Sequence, residues 1–315
     1  VHFSREYVKH FMACIPAKKY VYWHNLSSKL LRDIPDLEFG NLKNMPVSNP
    51  RLTCKTVDEI RDNYRKYKNI LREFVRDRGK PFEIFKNNLF INTWVLAGHW
   101  IKNYRKERNM CPLDTQYWID NNYRKYTELV NILNEQGIKC RQLNLDKLTY
   151  IPSINYKVYD INGVDEFVKN TPERKILICN GQVNSGQIFN FTLDNLINKI
   201  VSFKNIKVIT TVRTNIPGVL YTGDIIQAEG GDLNEISYLS KFCDIIIGRG
   251  SGPFCFCETK DNYFDDKKRF IAITNSKTWG FWWYNHRNMV WTNNPHAVNL
   301  SSIVIKCMED LGINP

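Results

Sequence analysis

The chain of 315 residues contains no run of 18 apolar residues, so no segment reads as a membrane-spanning helix. No secretory leader opens it; its first residue is Val1, and a true N-terminus upstream is the expectation. The phosphate loop G-x-x-x-x-G-K-[ST] is missing, which excludes P-loop chemistry. Gly248-x-Gly250-x-Gly252 falls one residue short of the G-x-G-x-x-G spacing of a dinucleotide fingerprint, so hydride transfer is disfavoured. Cys255-x-Cys257 lacks the two-residue gap and the second ligand pair of a structural zinc site, and no metal site is expected. Helix-turn-helix, zinc-finger and RNP-type signatures are absent, which argues against nucleic acid as a partner. The nine cysteines are odd in number and several sit in apolar stretches, as reduced buried thiols do, so a cytoplasmic setting is expected.

What is present is a chain with ample core. Hydrophobic residues make up 43% and aromatic residues 13%, enough to exclude wholesale disorder. The length suits two domains. The net charge of +12 is uneven: residues 1–150 hold 27 Lys/Arg against 16 Asp/Glu, and residues 151–315 hold 17 against 16. Much of the excess falls on a predicted helix over 57–76, with Arg61, Arg65, Lys68, Arg72 and Arg76 opposite an apolar stripe. Such a face is either simply solvated or a contact for anionic lipid or an acidic glycan, peripheral on the inner membrane face.

Hydrophobic periodicity predicts helix over 3–15, strand over 19–24, helix over 27–37, a strand within 82–97 and helix over 116–136. Residues 151–172 read as a linker between a domain over 1–150 and one over 173–315. The second domain predicts strands at 175–179, 207–212, 224–228, 245–247 and 269–274, a helix at 192–203 and a last helix at 300–311. The fold class is α/β with doubly wound parallel sheets.

The most informative stretch is 232–254, DLNEISYLSKFCDIIIGRGSGPF. Leu233, Ile236, Leu239 and Phe242 make one helical face. Ile245, Ile246 and Ile247 follow without alternation, as in a parallel strand covered on both sides. Gly248, Gly250 and Gly252 then lead to Pro253, a residue suited to the first turn of a helix. A helix start at the carboxyl end of a parallel strand favours an anion, and phosphate or diphosphate is the expected ligand.

Asp232-Leu233, Ile236, Leu239, Cys243-Asp244, Ile246-Ile247-Gly248 and Ser251-Gly252-Pro253 resemble the nucleotide-binding segment of GT-B glycosyltransferases, above all the bacterial heptosyltransferase family. The resemblance implies two Rossmann-like domains facing across a cleft, with the last helix crossing back to the first domain. It implies transfer of a sugar from a nucleotide-diphosphate donor to a glycan or lipid-linked acceptor, without metal or resident cofactor. No Asp-x-Asp motif is present for a metal-dependent GT-A enzyme. A non-catalytic sugar- or nucleotide-binding protein on the same scaffold is the alternative.

Ligands of open α/β sheets bind at the carboxyl ends of strands. The candidate donor contacts are therefore Asn180 and Gly181 after KILIC, Arg213 after KVITTV, and Arg249, Gly250, Ser251 and Gly252 in the Gly-rich turn. The resemblance adds Glu229 as the ribose contact, with Asp232 a helix cap. Arg213 has a plain ion pair as its other reading. The basic residue that the heptosyltransferases carry after the glycine is absent from NSGQIFNF. On the acceptor side His2 and Arg5 are the catalytic candidates, His2 as the base. His24, residues 92–94 and the aromatic run 279–284 rank behind them.

Overall fold

The computed structural model describes residues 2–23, 27–40, 82–85, 88–91, 127–141, 151–183, 189–226, 228, 232–250, 252–274, 288–293 and 297–313. The predicted basic helix over 57–76, His24, residues 92–94, Glu229, Ser251 and the aromatic run 279–284 lie outside the described residues. The chain divides into two units, one of Phe3–Tyr150 and one of Ile151–Pro315, with His2 counted in the second.

A 3-10 turn, His2–Ser4, runs into helix α1, Arg5–Cys14, which opens the first unit. Strand β1, Tyr20–Trp23, pairs in parallel with β2, Leu37–Gly40, and the one-turn helix α2, Ser27–Leu30, lies between them. The helix expected over 27–37 ends at Leu30; a turn closed by the Ile34 N–H on Leu31 O follows, and Pro35, without an N–H, cannot resume the helix. Asp36 takes the turn with φ 60, and the strand at Leu37 was not foreseen. Val8, Leu31, Ile34 and Leu37 form the core of this piece. Strands β3, Phe82–Phe85, and β4, Asn88–Ile91, make an antiparallel hairpin where one strand was expected. Residues 127–135 are helical.

The second unit opens with residues that read as a linker and are instead packed. A 3-10 turn, Tyr156–Val158, precedes helix α3, Asn162–Asn170. Ile154, Tyr156 and Tyr159 are buried together, and the Tyr156 hydroxyl lies 2.9 Å from Ser237 Oγ. Pro152 and the polar residues masked this spacing of buried side chains.

Six parallel strands follow: β5 Arg174–Cys179, β6 Ile206–Thr210, β7 Leu220–Tyr221, β8 Ile245–Arg249, β9 Arg269–Ile273 and β10 Met289–Thr292. Counted in chain order, they stand 3-2-1-4-5-6 across the sheet. That order gives a Rossmann-like α/β unit whose topological switch point lies between β5 and β8. Ile176, Ile178, Val208, Ile245 and Ile247 are all fully or almost fully buried, as unbroken apolar runs in a parallel sheet require.

Helix α4, Asp194–Val201, covers β6. The described residues of the strand expected over 224–228 form no strand. The one-turn helix α5, Thr222–Ile225, takes its place; Ile225 and Ile226, the pair that suggested a strand, are both buried, Ile226 as the extended residue that follows the turn. Helix α6, Leu233–Ser240, precedes β8, and two short turns of helix follow it: α7, Pro253–Phe256, and α8, Lys260–Tyr263. The last helix, α9, Ala297–Asp310, was expected to cross back. Its apolar stripe of Leu300, Val304, Cys307 and Met308 is spent in this unit's own core.

The amino ends of the strands are pinned by charge. Asp244 accepts from the Lys175 N–H at 3.0 Å and pairs with Arg174 at 2.9 Å, while its own N–H donates to Lys175 O. Lys268 donates to the carbonyls of Ser240, Lys241 and Cys243, closing the carboxyl end of α6 with a buried cation. Burial pushes its pKa below the ordinary value. Among the described residues no helix is long and apolar enough to cross a membrane.

Candidate functional site

The carboxyl ends of β5 and β8 meet at the switch point, and four of the expected donor residues come together there. Asn180 caps the end of β6 from β5. Its Nδ2 donates to Val212 O at 2.9 Å, and its Oδ1 accepts the Val212 N–H at 2.8 Å. Its side chain is therefore spent on the neighbouring loop. Gly181 follows, and the loop beyond it returns through Asn190, whose amide both accepts from Val183 N at 2.7 Å and donates to Val183 O at 3.2 Å.

Arg249 closes this loop from the side of β8. Only 3% of it is exposed. Its Nη1 donates to Asn180 O at 3.2 Å and to Gly181 O at 2.6 Å; its Nη2 donates to Phe191 O. The guanidinium also lies over the Phe191 ring, 4.5 Å from the centroid. Among the described residues no carboxylate pairs with it, and its buried Nε has no hydrogen-bond partner. Burial lowers its pKa from the ordinary value. A donor contact was expected of this side chain; what it contacts is the loop's backbone.

The Gly-rich turn serves two purposes. A Cβ on Gly248 would come within 2.8 Å of Cys179 Cβ and of the Phe254 ring, so this glycine allows β5, β8 and α7 to pack. Gly250 is buried. Gly252 is exposed with φ 53 and ψ −129, a conformation that side chains resist, and open space surrounds it. Pro253 takes the first helical position, as expected. The helix it opens has only four residues, however, so little aligned dipole stands behind the turn. Any anion here depends on the loop amides and on Arg249 more than on a helix end.

Arg213 is exposed at the end of β6 and pairs with Asp224, with its guanidinium 4.6 Å from the Tyr221 ring centroid. The Asp224 pairing raises its pKa. Asp232 stands at the N-cap of α6 without a capping side-chain hydrogen bond.

The acceptor-side candidates are placed differently from expectation. Arg5 is fully buried; it pairs with Asp33 and donates to Leu30 O, fastening α1 to the end of α2. His2 is 3% exposed, its Nε2 lies 3.1 Å from Glu258 O, and its ring stacks on Phe256 at 4.5 Å. Neither side chain is open to solvent, as a base meeting an acceptor hydroxyl must be.

Sequence reading missed Glu258. Its carboxyl is completely buried, neither oxygen has a hydrogen-bond partner among the described residues, and burial followed by Cys257 pushes its pKa far up. The only signal was one acidic residue among apolar neighbours in PFCFCET. The thiols of Cys179, Cys243 and Cys255 are also buried, and burial raises each pKa, that of Cys243 to about 12. They are inert thiols. Among the described residues no group of three or more His, Cys, Asp or Glu could hold a metal ion. Compared with protein-family models, with curated proteins and with solved structures, the chain matches none.

Proposed function

We propose that the second unit binds the diphosphate of a nucleotide sugar, and that the chain is a metal-independent glycosyltransferase of GT-B type. One observation carries the reading. At the switch point of a 3-2-1-4-5-6 sheet, the Gly181 loop and the Gly-rich turn adjoin a buried guanidinium with no described carboxylate partner. Such a place favours an anion, because a desolvated positive charge without a described counter-ion lies beside free N–H groups. The two-domain arrangement, the transfer to a glycan or lipid-linked acceptor, and the contacts of Glu229 and Ser251 with ribose and phosphate belong to this proposal. So does contact of the basic first 150 residues with an anionic surface.

The placement of Arg5 and His2 favours a second reading, a nucleotide-sugar-binding protein without transferase activity, since both side chains are occupied within the fold. A thermal-shift screen against nucleoside diphosphates and nucleotide sugars tests the common part. A ligand bound only by the native state raises the melting temperature by mass action. Incubation with the stabilising donor then separates the two readings, because only a transferase releases nucleoside diphosphate. Absence of any shift across the nucleotides would remove both.

A further inference from the structure

The peptide groups around Arg249 face in a definite direction. A trans peptide points its N–H opposite to its C=O. Arg249 Nη1 takes the carbonyls of Asn180 and Gly181, two successive peptide units. The N–H groups of those same units belong to Gly181 and Gln182, and they face away from the guanidinium. Neither has a hydrogen-bond partner among the described residues. Gly181 is half-buried and Gln182 is exposed, so the pair lies at the open, carboxyl end of β5. Successive outward N–H groups form an anion-binding concavity.

The loop that follows, residues 182–191, contains no Lys or Arg. Its positive charge comes from behind. A buried cation with carbonyl oxygens as its described partners leaves a net charge in the low-dielectric end of the sheet, where it acts on an anion across one layer of backbone.

We infer that Arg249 is a positioning residue: by holding the carbonyls of Asn180 and Gly181 it turns the N–H groups of Gly181 and Gln182 outward as a paired diphosphate site. It also supplies the charge that the loop lacks. This rests on the reading of the second unit as a diphosphate-binding domain, and it assigns the ligand contact to two backbone amides in place of the Arg249 side chain.

The test is a proton–nitrogen correlation spectrum of the intact chain, titrated with inorganic pyrophosphate and then with ADP and UDP. The Gly181 and Gln182 amide protons move downfield saturably. Arg249→Lys, which offers one nitrogen where the guanidinium uses two, binds pyrophosphate about tenfold more weakly or worse. Gln182→Pro deletes one N–H at an exposed position and leaves the Gly181 carbonyl for Arg249. It produces a similar loss at an unchanged melting temperature, and it decides the matter should Arg249→Lys fail to fold. Saturable binding that leaves both amides unmoved, or wild-type affinity in Gln182→Pro, overturns the inference while the donor-site reading stands. Failure of pyrophosphate and of both nucleotides to bind the wild-type chain overturns the donor-site reading and this inference with it.

Discussion

Arg249 Nη1 stands 2.6 Å from Gly181 O, so the end of β8 holds the loop that leaves β5. The two strands are also neighbours in register, with Cys179 opposite Gly248. The switch point is thus closed by a side chain as well as by the ladder.

Removing that side chain should cost stability beyond its volume. Arg249→Met leaves three carbonyls without their donor, and charge-assisted bonds of this kind contribute roughly 1.5–3 kcal/mol each when intact. Partial rescue by water brings the expected loss to about 3 kcal/mol. Urea unfolding measures it, and a loss below about 1 kcal/mol would show that the brace is dispensable.

Gly248 in β8 and Gly252 in the turn after it should respond in different ways. Gly248→Ala drives a methyl into Cys179 and Phe254, an overpacking that costs roughly 1–3 kcal/mol. Gly252→Ala meets open space, and its cost comes from the backbone at φ 53, about 1–3 kcal/mol. Gly248→Leu separates the two causes: a larger side chain should abolish folding there, whereas Gly252→Leu should lose no more than Gly252→Ala. Melting temperatures of the four variants decide it.

Arg5 and Asp33 have side chains 0% and 1% exposed. Asp33→Asn strands a buried cation and should destabilise by about 3–5 kcal/mol. If Arg5 serves the fold alone, donor turnover by Arg5→Lys should decline only as far as its folded fraction declines. A turnover loss at full folding would place Arg5 in the chemistry after all.

Glu258 makes stability depend on pH in a definite sense. Its folded pKa is raised, by burial first and Cys257 second, from an ordinary 4.5. Between that value and the folded pKa the native state holds a proton that the unfolded chain has released. The contribution is therefore complete below pH 4.5 and falls as pH rises through the folded pKa, by about 1.4 kcal/mol per pH unit. Glu258→Gln lacks this term. Its stability relative to wild type should rise as pH climbs above 4.5 in chemical denaturation, and a constant difference would contradict the neutral buried carboxyl.

Much of the second unit was legible because its strands are uninterrupted apolar runs and its turn is punctuated by Gly and Pro. Ile245 to Ile247 and Gly252-Pro253 show both signals plainly. What was not legible depends on direction, which one-dimensional spacing does not carry. Arg249 has the same letter whether it faces a ligand or a loop, and only the sheet order turns it inward. Lys175, second in β5, and Lys268, just ahead of β9, are charged residues that end buried on carbonyls. Ile225-Ile226 has the composition of a strand, yet Ile225 closes a helical turn and only Ile226 is extended. In the first unit Pro35 opposes a helix over 27–37, while the apolar residues around it carry the helical spacing.

The sealed thiols have a practical consequence. Cys179, Cys243 and Cys257 lie together in the closed interior of the second unit. A thiol-specific dye in the surrounding buffer meets them only during an excursion that opens this interior. The rate at which those cysteines take up label is then a clock for that excursion, one that nature has installed and that needs no engineered probe.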